Sequence, residues 1–264
     1  MRGKLPGSPD VEKSESELFN ELLYLVDREY TCPVCETVFT FKSPKAAKIG
    51  TEGMDDDLRP RYRTLDAIKY RVVECPVCHY ADIIRFFPDV RKRELSLLRE
   101  GIVALDKDAD LCGGAVSYPA AYHMFKSAMR CNLIRKANLS KRAYTALNTA
   151  WLLRGWRESL EKEGQTISPS EPMSLEEEMK LIKHSARNFL EAERTEDFPL
   201  SGIDESTYDY LMAVLSHKIN DNVAAERYVL KALRCNDLKR TIRPRAEDLR
   251  DDLKKLKKLN KEST

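Results

Sequence analysis

"TCPVCETVFTF" (residues 31–41) and "ECPVCHYADII" (residues 74–84) carry the same tetrapeptide, Cys-Pro-Val-Cys. A Cys-x-x-Cys turn presents two sulfurs on one side of a loop. A tetrahedral metal with bonds of about 2.3 Å to sulfur needs two such turns facing each other. The duplication therefore predicts one zinc ion held by Cys32, Cys35, Cys75 and Cys78, each knuckle topping a hairpin, as in a zinc ribbon. Four thiolates leave no position open for water, so the expected site is structural and not a Lewis acid. Binding energy on the order of 10 to 16 kcal/mol would then serve as folding energy for a small β module. Loss of any one ligand is expected to unfold residues 30–88.

Three other readings of the cysteines were weighed. A thioredoxin-like dithiol places its nucleophile where a strand enters a helix, and the second, matching pair would have no role there. Rubredoxin-type iron uses similar knuckles, usually with Gly after the second Cys. Here Glu36 and His79 follow, and each can take the left-handed turn only at some cost. Zinc is preferred to iron because nothing in the chain points to electron transfer. Four buried cysteines without a metal would leave the spacing unexplained.

Outward from the knuckles, "ETVFTF" (36–41) and "AIKYRVVE" (67–74) are rich in β-branched and aromatic residues and read as strands, while "GTEGMDDDLRPRYR" (50–63) reads as a loop. Upstream, "SELFNELLYLVDRE" (16–29) puts Leu18, Leu22, Leu25 and Val26 on one stripe, with Ser14 and Glu17 in capping-box spacing. A helix ending near Arg28 is predicted, so residues 1–28 are a flexible tail plus an amphipathic helix, and 29–88 the zinc-ribbon-like module. From Asp89 the period becomes helical. Residues 89–118 form a connecting helix and linker, ending in the break "CGGAVSYP" (112–119). Helices are then predicted at 119–136, 140–162, 174–195, 205–219, 222–236 and 244–260, with Ser140 as a cap and Ser174 and Glu177 as a capping box.

Within these helices an Ala, a large apolar residue and a second Ala recur at Ala121/Phe125/Ala128, Ala143/Leu147/Ala150 and Ala225/Val229/Ala232. Small residues at that spacing let a second helix approach closely, as in the hairpins of tetratricopeptide (TPR) repeats, although the period of about 34 residues expected of such arrays is absent. The same spacing also suits an ordinary bundle. The fold class expected is α+β, mostly α: a small β zinc ribbon followed by an all-helical, TPR-like bundle over 119–264.

The 264 residues carry 45 basic and 43 acidic side chains, a net charge of +2, which sets up no global attraction to nucleic acid or an acidic membrane. No apolar run reaches the roughly 20 residues a membrane span needs, and the start lacks the apolar core of a secretory signal. A cytoplasmic, reducing location is expected. There the seven cysteines are metal ligands or small core residues: Cys112, Cys131 and Cys235 are assigned to packing. His79 is read as a neighbour of the ligands, and His123, His184 and His217 as helix-face residues. Asp55, Asp56 and Asp57 could hold a cation or form a solvated loop. No catalytic constellation is found, and no enzyme is predicted.

Four stretches together, "CPVC" (32–35), "DDDLRPRY" (55–62), "CPVCHYA" (75–81) and "AWLLR" (150–154), resemble the bacterial family known as domain of unknown function 2225. The resemblance covers most of the chain. It implies a zinc-ribbon-like front with TPR-like helices behind, Cys32, Cys35, Cys75 and Cys78 as zinc ligands, and a bacterial, cytoplasmic protein; it implies no activity. One departure stands out: the family usually has Gly at the position of His79.

The function expected is a non-catalytic interaction scaffold whose helices bind a protein partner, in a groove between helices 119–162 and 205–236. The alternative is nucleic-acid binding through the ribbon. Basic and acidic side chains are about balanced over residues 29–90, which suits phosphate neutralisation poorly. Two basic features remain for it: Arg59, Arg61 and Arg63 around Tyr62, and the C-terminal helix, whose Leu249, Leu253, Leu256 and Leu259 also suit a packed cap.

Overall fold

The computed structural model describes residues 21–102 and 114–262. Its β part consists of three antiparallel hairpins. Strand β1 (Leu25–Thr31) pairs with β2 (Val38–Pro44) in continuous register, from Leu25 opposite Pro44 to Thr31 opposite Val38. Strand β3 (Thr51–Met54) pairs with β4 (Pro60–Tyr62), with a register shift that Gly53 allows at φ 133°. Strand β5 (Val72–Glu74) pairs with β6 (Ala81–Ile83). Each Cys-Pro-Val-Cys is the turn of its own hairpin.

Three sequence expectations change here. The helix predicted to end near Arg28 gives way to a strand from Leu25: pairing with β2, which leads into the knuckle, outweighs the helical spacing of Leu22, Leu25 and Val26. Ser14 and Glu17, the predicted cap, lie outside the described residues. The predicted loop at 50–63 contains the β3–β4 hairpin. Within the predicted strand at 67–74, Ala67–Tyr70 is a 3-10 turn capped by Asp66, and only Val72–Glu74 is extended.

Seven helices follow: α1 (Lys92–Gly101), α2 (Tyr118–Ile134), α3 (Leu139–Lys162), α4 (Leu175–Thr195), α5 (Glu205–Lys218), α6 (Asn222–Arg234) and α7 (Arg243–Glu262). Their boundaries follow local chemistry. Ser117, Ser174, Asp204 and Asp221 each accept a backbone N–H of the first turn. Ser140 is not the cap expected. Asn138 holds that position, and the Ser140 backbone N–H and hydroxyl both donate to Glu196.

Helices α2 to α7 pack in sequence order, each against its chain neighbours. The recurring Ala positions explain the close approach. Ala121, Phe125, Ala128, Ala143, Leu147, Ala150, Ala225, Val229 and Ala232 are all fully buried. Helix α2 also lies across β5 and β6, so the core of the β part is continuous with that of the helices.

Buried ion pairs fasten the two parts. The Arg154 guanidinium on α3 donates to Asp55 Oδ2 at 2.8 Å, to both Asp57 oxygens at 3.1 and 2.5 Å, and to Glu178 Oε1 on α4 at 2.8 Å. Asp57 is 0 % exposed, Glu178 2 % and Arg154 8 %. Burial alone would lower the pKa of Arg154, but the hydrogen bonds to Asp57 and the charge of Glu178 outweigh it and hold it above the ordinary value. At the β5–β6 hairpin Arg135, the C-cap of α2, donates to Asp82 of β6 at 2.5 Å and to the Tyr80 hydroxyl at 3.3 Å. Within the β part Lys69 pairs with Glu21 just before β1, with both Nζ to oxygen distances at 2.7 Å.

Candidate metal centre

Pro33 and Pro76 pre-set the turn of each knuckle, and a residue in the left-handed region closes it: Glu36 at φ 62° and His79 at φ 59°. The two turns share one hydrogen-bond plan. Glu36 N–H donates to Cys32 O at 2.9 Å and His79 N–H to Cys75 O at 3.0 Å, while Cys32 N–H donates to Thr37 O and Cys75 N–H to Tyr80 O, both at 2.9 Å. The ladder of each hairpin thus runs straight into its first cysteine. Two non-Gly residues accept left-handed backbone, at about 1 to 2 kcal/mol each, because the surrounding bonds leave no other conformation.

The aromatic rings behind the knuckles set how the hairpins face each other. Tyr30 and Phe39 stack at 6.0 Å across β1 and β2, and Phe87 meets Tyr30, Phe39 and Tyr80 at 6.2, 6.1 and 5.0 Å. The result brings the four predicted ligands together. Cys32 Sγ lies 3.5 Å from Cys78 Sγ, Cys35 Sγ lies 3.5 Å from Cys75 Sγ, and all four sulfurs fall within 4.8 Å of one another. A metal tetrahedron with bonds of about 2.3 Å has sulfur-to-sulfur edges of about 3.8 Å. The donor set fits a four-coordinate metal ion in both distance and chemistry.

Electrostatics point the same way. Among the sulfurs alone, hydrogen bonds from Cys32 and Cys78 pull the Cys75 thiol down to about 2, and bonding to Cys75 pushes Cys32 up to about 12; Cys78 is also raised, chiefly by its bond to Cys32. One negative charge is shared by crowded groups. A bound dication removes that competition and lets all four ionise. Backbone N–H groups already point at the sulfurs: those of Val34 and Cys35 at Cys32, those of Val77 and Cys78 at Cys75, and that of Tyr80 at Cys78.

The remaining candidates fall elsewhere. His79 Nδ1 meets the buried Glu74 Oε1 at 3.2 Å, which turns its ring to a carboxylate beside the centre. His184 and His217 contact Asn188 and Asn222, and His123 is partly buried on α2. Cys131 is buried against the second knuckle, its Sγ 3.9 Å from His79 O; Cys112 lies outside the described residues. For Asp55 and Asp57 the solvated-loop reading gives way to ion pairs with guanidinium groups, while Asp56 stays exposed as that reading has it. Asp55 and Asp57 take guanidinium groups from Arg59, Arg61 and Arg154, and Asp56 pairs with Arg245 at 3.1 Å. Arg59 is correspondingly buried and also reaches Glu158 at 3.0 Å. Sequence reasoning missed this cluster, whose members come from β3–β4, α3 and α4; the one available signal was the co-occurrence of "DDDLRPRY" and "AWLLR".

Among the described residues no helix is long and apolar enough to cross a membrane. A family model described as an uncharacterized protein conserved in bacteria, domain of unknown function 2225, matches residues 25–257. Comparison with curated proteins and with solved structures finds no match.

Proposed function

The chain belongs to this bacterial family, and from that premise we propose that it is a non-catalytic, cytoplasmic scaffold in which TPR-like helices hold a protein partner and a zinc-ribbon-like front is stapled by one zinc ion. The observation that carries this reading is the order of packing. Helices α2 to α7 stack along the sequence, each on its neighbours, which is how solenoid repeats build extended binding surfaces. The chemistry-bearing side chains support it from the other side: the four cysteines face one another, and Asp55, Asp57, Arg59, Arg154 and Glu178 neutralise each other in the interior. Zinc is the metal proposed because four thiolates in tetrahedral spacing suit it and redox chemistry has no second component here.

The partner surface proposed lies between the α2–α3 and α5–α6 hairpins, with α4 packed between them as its floor. The pairing of Arg59 and Arg61 with Asp55 and Glu158 weighs against the nucleic-acid alternative, since those guanidinium groups are already compensated. The test is affinity purification from the native cell with crosslinking and mass spectrometry, using wild type and Cys75→Ser side by side. A partner crosslinked to residues 118–234 is the expected result. Recovery of nothing above background, or of nucleic acid released by salt, counts against the scaffold.

A further inference from the structure

The four sulfurs are of two kinds. Cys32 and Cys75, the first of each knuckle, are 0 % exposed, and each accepts two backbone N–H groups. Cys35 and Cys78, the last of each knuckle, are partly exposed and line an open cleft of about 490 Å³ walled by Val34, Val77, Leu98 and Ile102. Cys35 Sγ also lies 3.2 Å from the Thr37 hydroxyl, and Cys78 accepts the Tyr80 N–H. Burial blocks access to a thiolate, so the outer pair is the more reachable. Two contacts at 3.5 Å run crosswise, each joining an outer sulfur to the inner sulfur of the opposite knuckle, Cys35 to Cys75 and Cys78 to Cys32.

We propose that the metal centre is an oxidation site, at which a two-electron oxidant of the peroxide class reacts with Cys35 and Cys78 through the cleft, and the metal is exchanged for crosswise disulfides Cys35–Cys75 and Cys32–Cys78. This rests on the reading of the four cysteines as a metal site. In the first step the Cys35 thiolate attacks one peroxide oxygen, the O–O bond breaks, and the leaving hydroxide takes a proton from solvent. Cys75 then attacks the Cys35 sulfenic sulfur, expelling its hydroxyl group as a second water once protonated. Two thiolates lose two electrons, one peroxide gains them, and two solvent protons complete two waters. A second peroxide oxidises Cys78 and Cys32 in the same way, and the metal leaves without changing its charge. Each crosswise pair need only close from 3.5 Å to about 2.0 Å. The hairpins therefore stay tied together, whereas disulfides within a knuckle would release them.

The experiment loads the full chain with zinc, confirms one zinc per chain by atomic absorption, and adds hydrogen peroxide in the presence of a chromogenic chelator. Disulfides are mapped by mass spectrometry after alkylation. Zinc release complete by about two equivalents of peroxide, with both crosswise peptides found, is expected. An Ile102→Trp variant, which narrows the cleft from outside both knuckles, should bind zinc with the same stoichiometry and release it several-fold more slowly. Disulfides within a knuckle, sulfinic or sulfonic acids without disulfides, retention of zinc through a large excess of peroxide, or an unchanged rate in Ile102→Trp each overturn the inference and leave the metal site standing. A chain that takes up no zinc brings down both.

Discussion

Gly155 occupies the middle of α3, where glycine costs about 1 kcal/mol relative to alanine, yet its position has a reason. A Cβ there would lie 2.5 Å from Asp66 Oδ2, 3.0 Å from the Arg59 guanidinium and 3.2 Å from the Tyr118 hydroxyl. Asp66 has little freedom to withdraw, since Oδ1 accepts from Ile68 N–H and Oδ2 from Tyr118, both at 3.0 Å. Close approach therefore outweighs propensity: Gly155→Ala is expected to destabilise by about 1 to 3 kcal/mol in urea denaturation, and a gain in stability would refute that account. Asp209, buried on α5 with Lys231 at 3.0 Å from Oδ1, gives a pH prediction. Burial pushes its carboxyl up to about 6 despite Lys231. A raised carboxyl stabilises the fold at low pH, and that contribution is lost as pH rises from about 4 through 6. Asp209→Asn cannot titrate. Relative to wild type it should gain on the order of 1 kcal/mol between pH 4 and pH 7, and an unchanged difference across that range would show that Asp209 titrates as an ordinary surface acid. Comparing the two chains cancels the pH dependence of the metal site.

At the scale of elements, the decisive contact is the seating of the β3–β4 loop on α3 and α4. Arg154 compensates three carboxylates there: Asp55, Asp57 and Glu178. Removing the cation leaves those charges buried together, which in comparable cases costs about 3 to 5 kcal/mol. Arg154→Met should show a loss of that size in chemical denaturation. Adding Asp57→Leu should recover most of it, because the carboxylate left without its guanidinium disappears while Glu178 keeps Arg157 and Asp55 keeps Arg59 and Arg61; an Arg154→Met variant within about 1 kcal/mol of wild type would mean the cluster is solvated. This joint was invisible in the sequence for a physical reason. Three adjacent aspartates read locally as a solvated turn, and it takes Arg154, far along the chain, to hold Asp57 inside, with Asp55 shared between it and the nearby Arg59 and Arg61. The knuckles and helices were legible because their signals are local: two cysteines three apart, or apolar residues recurring every turn. Leu25 and Val26 failed for the opposite reason, since their spacing is helical and the choice of strand rests on pairing with β2 further along the chain.

For the whole molecule, the continuity of the core alters what metal removal should do. The spacing of the cysteines predicts a module with no core of its own, lost as one unit with any ligand. The hairpins are not equivalent, however. Strands β5 and β6 are buried at every position and lie against α2, with Asp82 held by Arg135, whereas β1 is exposed over most of its length and meets the rest chiefly through Leu25, Tyr30 and the knuckle. A metal held by the four cysteines would therefore supply a larger share of the tether of the β1–β2 hairpin, whose other ties are Tyr30 and Phe39 on Phe87, Phe41 on Tyr70 and Lys69 with Glu21, than of the β5–β6 hairpin. Chelation should raise amide exchange strongly over Leu25–Thr31 and Val38–Pro44, raise it less over Val72–Glu74 and Ala81–Ile83, and leave α3 to α6 protected. Hydrogen exchange with mass spectrometry, before and after a zinc chelator, distinguishes the cases. Equal loss at both hairpins would restore the independent module, and loss reaching α3 to α6 would make the metal a determinant of the helical stack as well. The predicted gradient follows from where each strand finds its apolar neighbours: β5 and β6 in the helices, β1 and β2 largely in each other.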